Sequence, residues 1–270
     1  MTRKALVYVV LSAGAVVTTF PFLWMLTTAF KTYAEAASPT VDLWPEVWQW
    51  QNLGETFRAA PFATYFANTF LVAAIVTSAV VVTAVTAGYA FARLEFPLRR
   101  VLFGLVLATM MVPFEVILIP NFVLIHRLDW YNTYAALTIP WCANAFSIFL
   151  MRQAFMGLPG DFFDAARVDG CGHLRFLAYV AAPLVKPMVV TVALFAFLGS
   201  YNSLIWPLIV TGTESRRVVQ VGLTMFSGEA GVQFNLLMCA SALVILPTVA
   251  VYFAAQRHFL ESSLGAGIKG

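Results

Sequence analysis

The sequence predicts an all-α membrane protein with six transmembrane helices, organised as a single transmembrane domain over residues 1–270. Three observations carry this reading. Apolar residues make up 61% of the chain and charged residues 11%, where soluble domains carry about 25% charged residues. The chain holds repeated apolar runs close to the roughly 20 residues that a helix needs to cross a bilayer. Lysine and arginine collect in the connections between those runs, and more of them on one side than on the other.

The first run, Ala5 to Phe30, contains no Asp, Glu, Lys or Arg. Ala34-Glu35-Ala36 looks like a small-x-small cleavage site. The run is nevertheless longer than the roughly 7–15 apolar residues of a signal peptide, so it reads as a retained anchor. Lys31 to Phe66 is a polar connection with Trp44, Trp48 and Trp50, suited to a membrane–water interface. The second span lies within Ala67–Ala92 and ends at Arg93. The third runs from Val101 to about Pro120, the fourth from Tyr134 to Met151, the fifth from Pro187 to Trp206 and the sixth from Phe234 to Ala255.

Orientation follows from the cations. With the N-terminus cytoplasmic, the inner side holds Arg3, Lys4, Arg93, Arg99, Arg100, Arg152, Arg167, Arg175, Lys186, Arg257 and Lys269. The outer side holds only Lys31, Arg58, Arg127, Arg216 and Arg217. Both termini and the long connection 152–186 are then expected to be cytoplasmic, in the plasma membrane of a prokaryote.

Several activities are excluded. The net charge of +3 is small and the basic residues are dispersed, which argues against nucleic acid. Cys142, Cys171 and Cys239 are too far apart for a metal-ligand spacing or a disulfide framework. No phosphate-binding loop, H-E-x-x-H or G-x-S-x-G is present, so the chain is expected to have no enzyme activity and no metal. Energy for any transport must come from an ion gradient or a partner.

The connection from Leu158 to Pro183 is the exception to the apolar pattern. Pro159 and Gly160 break what precedes, Asp161 is a plausible N-cap, and Asp164 follows three residues later. Phe162, Ala165, Ala166 and Asp169 share a side at helical spacing. Gly170 stands where a helix would end at positive φ, and a second short helix is expected from His173 to about Ala181, stopped by Pro183.

This stretch resembles the cytoplasmic loop of permease subunits of ABC importers, whose pattern is E-A-A-x-x-x-G, nine residues, then I-x-L-P. Asp164-Ala165-Ala166, Gly170, Val180, Ala182 and Pro183 keep every spacing, with Asp for Glu, Val for Ile and Ala for Leu. Gly88-Tyr89-Ala90-Phe91-Ala92-Arg93, Met111-Val112-Pro113-Phe114-Glu115, Tyr201-Asn202 with Trp206-Pro207, and the glycine-rich end Leu264–Gly270 are similar to the smaller membrane subunit of maltose and glycerol-3-phosphate importers. The resemblance implies a type I importer fold whose loop carries a coupling helix for an ATPase. Asp161, Phe162, Asp164, Ala165, Ala166, Asp169, Gly170 and Pro183 would form that element. It further implies a homologous second permease, two cytoplasmic ATPase subunits that bind the ATP and Mg, an extracytoplasmic solute-binding protein, and a sugar or related solute. The tail, through Gly265, Gly267 and Lys269, would reach the ATPase interface.

Glu115 is the only acid well inside a span, where an unpaired charge costs at least about 2.5–3.5 kcal/mol. Glu115, Asn144 and Asn202 are therefore the candidates for the translocation path. The rival reading is an ion-coupled transporter acting without an ATPase. It would require more than one buried ionisable site, and Glu115 stands alone.

Overall fold

The computed structural model describes residues 3–40, 42–228 and 231–266. Helix α1 (Arg3–Ala29) is followed by the short α2 (Tyr33–Ala36) and α3 (Gln51–Ala59), then by the long α4 (Phe62–Arg93). Next come α5 (Arg99–Thr109), α6 (Phe114–Arg127), α7 (Tyr134–Thr138) and α8 (Ala145–Met156). The loop contains α9 (Gly160–Val168) and α10 (His173–Phe176), a wide π turn at Leu177–Ala181, and α11 (Ala182–Leu184). The chain continues through α12 (Lys186–Tyr201), α13 (Ile205–Val210), α14 (Val219–Leu223) and α15 (Phe234–Ala266). A two-stranded antiparallel hairpin, β1 (Ser227–Gly228) with β2 (Gly231–Val232), precedes α15.

Three helices among the described residues are each long and apolar enough to cross a membrane: Lys4–Ala29, Phe62–Arg93 and Phe234–Ala254. Three bent pairs bring the number to six: α5 with α6 at 95°, Tyr134–Trp141 with α8 at 42°, and His173–Leu184 with α12 at 86°. The third span, expected over Val101 to about Pro120, is a bent pair that extends to Arg127. Pro113 has no amide proton to continue the helix, and its extended conformation (φ −60, ψ 143) starts α6 afresh. The sixth helix runs past the expected end at Ala255 to Ala266, and Gly265 is helical. Gly267, Lys269 and Gly270 lie outside the described residues.

The chain divides into two compact units. The first comprises residues 1–65 and 219–249. Residues 4–26 of α1 include no buried side chain, so its apolar surface is available to lipid or to another subunit. The buried carbonyl end of α1 is satisfied locally, because the Asn52 amide donates to Ala29 O, and to Lys31 O just beyond the helix, at 2.9 Å each. Lys31 is itself buried, donates to Asp42 O and lies 4.6 Å from the Trp24 ring, so its charge is compensated. Phe62 stacks on Phe226, and Gly222 leaves room for the Tyr65 ring, which a Cβ there would approach to 2.6 Å.

The second unit comprises residues 66–218 and 250–270. Its core is organised along α4, where Val72, Val76, Val80 and Ala84 repeat every four residues and form one buried stripe. Gly88 continues that stripe at the crossing with α8. A Cβ at Gly88 would stand 2.7 Å from Met151 Cβ and 2.9 Å from Arg152 N, so only glycine allows the two backbones to approach this closely. The crossing is fastened in both directions. Arg93 donates to Phe155 O at 2.9 Å and to Leu158 O, while Arg152 Nε donates to Phe91 O at 3.3 Å.

Candidate functional site

Two features of the second unit combine into a candidate site: the 160–185 loop and a cavity among the helix breaks.

In the loop, α9 begins at Pro159, which occupies the N-cap position without a side-chain hydrogen bond. Asp161 is therefore a residue of the first turn and not the cap, a position where its charge still favours the helix end. Pro159 takes the cap because it is held at φ −57 and ψ 142, which is not helical. The other end forms as expected. Gly170 has φ +69, its amide donates to Arg167 O at 3.0 Å, and the Cys171 amide donates to Ala166 O at 2.8 Å. This is the Schellman closure, which needs a residue at positive φ after the cap. Pro183 does not stop the second helix. It follows the π turn at Leu177–Ala181, where the Ala182 amide reaches back to Leu177 O, and the widened turn accommodates the proline ring.

The loop has an inner and an outer side. Phe163 and Ala166 are half-buried against the unit's core, and Phe163 packs edge-on against Phe176 with centroids 5.3 Å apart. Tyr89 of α4 completes the cluster, with its hydroxyl 3.1 Å from His173 Nδ1 and its ring 6.2 Å from Phe176. Ala166 is half-buried on this inner side, yet it also lines the open groove beside Asp169 and Tyr179. Asp161, Phe162, Asp164, Ala165, Asp169 and Gly170 are exposed. Three further exposed apolar residues join them: Val168 (88% exposed), Leu174 (79%) and Tyr179 (77%). The sequence reading missed these three. The available signal was their apolar character inside an otherwise charged segment.

The cavity has a volume of about 530 Å³ and is walled by α4, α8 and α12 at the breaks that precede α8 and follow α12. Trp206 donates from Nε1 to Ala136 O at 2.9 Å and meets Trp141 edge-on at 5.6 Å, and Phe114 packs on Trp141 at the same separation. These contacts fix an aromatic wall. The polar side chains on the lining are Thr69, Asn144, Ser147, Ser200 and Ser203. Asn144 caps α8, accepting from Ser147 N at 2.9 Å and Ser147 Oγ at 3.1 Å, which leaves its amide NH₂ as a donor.

Of the three residues expected on a translocation path, the structure places one on this lining, Asn144. Glu115 is exposed in the first turn of α6, beside Phe114 but off the lining, where the helix end favours its charge. Asn202 terminates α12 and donates to its own Leu198 O at 3.0 Å. Ser147, Ser200 and Ser203 stand on the lining instead. Serine is common at helix–helix contacts, so composition alone did not distinguish them.

Residues 84–261 match the family described as binding-protein-dependent transport system inner membrane component. The chain belongs to this family. The permease is 31% identical over 262 residues to the sn-glycerol-3-phosphate transport system permease protein UgpE of Yersinia enterocolitica, spanning 94% of this chain and 93% of that protein. It is 29% identical over 259 residues to the lactose transport system permease protein LacG of Rhizobium radiobacter, spanning 96% and 94%. It is likewise 29% identical over 259 residues to the arabinooligosaccharides transport system permease protein AraQ of Halalkalibacterium halodurans, spanning 95% and 93%. Among solved structures, a bacterial ABC transporter involved in import of the acidic polysaccharide alginate has the same fold, with a TM-score of 0.83 at 23% identity over 96% of this chain and 99% of that one. The permease is therefore a multi-pass transport subunit of an ATP-driven importer and not an enzyme. The ion-coupled reading finds no support.

Proposed function

We propose that this permease couples ATP hydrolysis on partner subunits to the inward passage of a sugar or sugar-like solute. In this reading the 160–185 loop is cytoplasmic and its exposed side, from Asp161 to Gly170 with Val168, Leu174 and Tyr179, seats in a cleft of one of two ATPase subunits. A second, homologous permease completes the path, and a solute-binding protein delivers the solute on the opposite side. ATP and Mg belong to the ATPases. Both termini are cytoplasmic, and the tail through Gly265, Gly267 and Lys269 meets the ATPase pair.

One observation carries this reading. A charged, outward-facing helix in an otherwise apolar chain is closed at its C-terminal end by Gly170 and held along its inner side by Phe163, which packs with His173 and Phe176 against Tyr89. A surface loop without a partner does not require large exposed apolar side chains beside such a mount. A sugar-like solute is supported by the names of the relatives and by a cavity that combines aromatic rings with hydroxyls. The test is to purify the permease from its native membrane and ask whether an ATPase accompanies it. A cysteine at Ala165 is expected to cross-link to that ATPase. Purification without an ATPase, under conditions that retain the second permease, would refute the reading.

A further inference from the structure

The connection that follows α1 turns large apolar side chains outward. Trp44, Val47, Trp48 and Trp50 are each at least 43% exposed. They are nonetheless held in a fixed arrangement. The Gln49 amide donates to Phe30 O at 2.8 Å, and Phe30 packs on Trp48 and Trp50 with centroids 5.6 and 4.6 Å apart. Trp48 stacks on Trp50 at 6.0 Å and meets Trp44 at 6.5 Å. The tryptophans are thereby pinned to the residue after Ala29, where α1 ends.

Helix α3 extends this surface. Its buried residues are Asn52 and Thr56, so the side it turns to the protein is polar. Trp50, Leu53 and Phe57 recur at three and four residues and form a stripe on another side, ending in the exposed Phe57. An ordinary surface helix does the reverse and turns its apolar stripe to the core.

What covers the surface follows from α1. Residues 4–29 form one span of a multi-pass membrane protein, and a span ends where hydrocarbon gives way to headgroups. The outward tryptophans stand at that level whatever lies along the sides of α1. Indole favours this boundary, because its ring is apolar and its N–H needs a polar partner. Charge then selects the lipid. Over residues 42–58, Asp42, Glu46 and Glu55 are exposed against the single cation Arg58, and Lys31 is buried, so no basic cluster draws an anionic headgroup.

We propose that residues 44–57 form an interfacial anchor that seats on zwitterionic phospholipid and sets the depth of α1 in the bilayer. The test uses the full-length permease in phosphatidylcholine nanodiscs, in which a fixed share of the lipid carries bromine either near the headgroup or deep in the acyl chain. Trp44→Phe with Trp50→Phe keeps aromatic rings at both positions, so the difference from native emission isolates these two tryptophans.

The isolated emission is expected to be quenched more strongly by the shallow bromine, since an interfacial ring sits only about 5–10 Å into the headgroup–acyl boundary. It should be quenched further when the unbrominated remainder is replaced by phosphatidylglycerol, because the brominated zwitterionic lipid then collects at the anchor. Trp50→Ser with Phe57→Ser leaves the Asn52 bonds to Ala29 and Lys31 in place, and should weaken shallow quenching of Trp44 and Trp48. Equal quenching at both depths, quenching by aqueous acrylamide in place of bromine, or no gain in phosphatidylglycerol overturns the proposal. Shielding that arrives only with the second permease or the solute-binding protein assigns the surface to a protein partner and overturns it as well.

Discussion

The Tyr89 hydroxyl lies 3.1 Å from His173 Nδ1, and this contact joins the membrane helix α4 to the loop proposed to receive the ATPase. Tyr89→Phe removes the hydrogen bond and keeps the ring packing against Phe155 and Phe176. The expected local cost is about 0.5–1.5 kcal/mol. Amide exchange over residues 160–176 should accelerate, while membrane insertion is unchanged. Solute-stimulated ATP hydrolysis should fall further than the basal rate. Equal exchange in Tyr89→Phe and the native chain would show that the contact does not hold the loop.

Gly170 tests the loop by another route. A Cβ built there meets nothing within 4 Å, so any cost of substitution comes from the +69° φ and not from a clash. An L-residue in that region loses about 1–2 kcal/mol, and asparagine tolerates it better than a β-branched residue. Gly170→Val should disorder the loop and abolish ATPase association, whereas Gly170→Asn should retain much of it. Affinity purification with the ATPase as bait distinguishes the two. Indistinguishable behaviour of Val and Asn would mean that the backbone conformation is not what matters.

Gly88 presents the opposite case, where space decides. Its added Cβ would meet Met151 Cβ at 2.7 Å and the Arg152 amide at 2.9 Å. Gly88→Ala should force α4 and α8 apart and lower stability by about 1–3 kcal/mol. Trimming the neighbour with Met151→Ala should not rescue it, because Met151 Cβ and the Arg152 backbone remain. Thermal unfolding of the single and double variants in detergent reads this directly, and full rescue by Met151→Ala would contradict the backbone contact.

The connection after α1 carries a pH dependence. Glu35 accepts from Glu46 N at 2.8 Å, from Thr32 Oγ at 2.7 Å and from Thr32 N at 2.8 Å, and these bonds hold its carboxyl below its ordinary value of 4.5. A depressed carboxyl stabilises the fold above about pH 4.5, and the contribution disappears as pH falls through the folded-state value. Tryptophan emission from the neighbouring Trp44, Trp48 and Trp50 should report a transition in that acidic window. Glu35→Gln should flatten it, and an unchanged acid limb would remove Glu35 as its source.

How much of this was legible in the sequence depended on whether one residue or several decided the outcome. Gly170 could be read because only glycine enters the left-handed region without strain. The apolar runs located the membrane helices because a bilayer imposes their length. Pro113 could be read as a broken helix end, but the size of the bend could not, since a proline in an apolar run permits either a kink or a stop and the surrounding packing selects. Pro183 was read as a stop, yet a π turn several residues earlier absorbs it, and no single residue announces that turn. The packing of Phe163 beneath the loop depends on Phe176 and on Tyr89, and Tyr89 is distant from the loop in sequence. Ser200 and Ser203 became distinguishable from other serines only once the break after α12 faced Asn144 across the same space.

Helix α4 contains no proline, while the spans built from α5–α8 and from α10–α12 are each bent. At about 1.5 Å of rise per residue, roughly 20 Å of unbroken helix separates Tyr89, at the loop, from Val76, on the cavity wall. A strut of this kind cannot shorten or buckle without breaking its hydrogen bonds. In the proposed coupling, a push received at the loop would therefore travel along α4 to the cavity wall, and the bends in the neighbouring helices would be the hinges that yield.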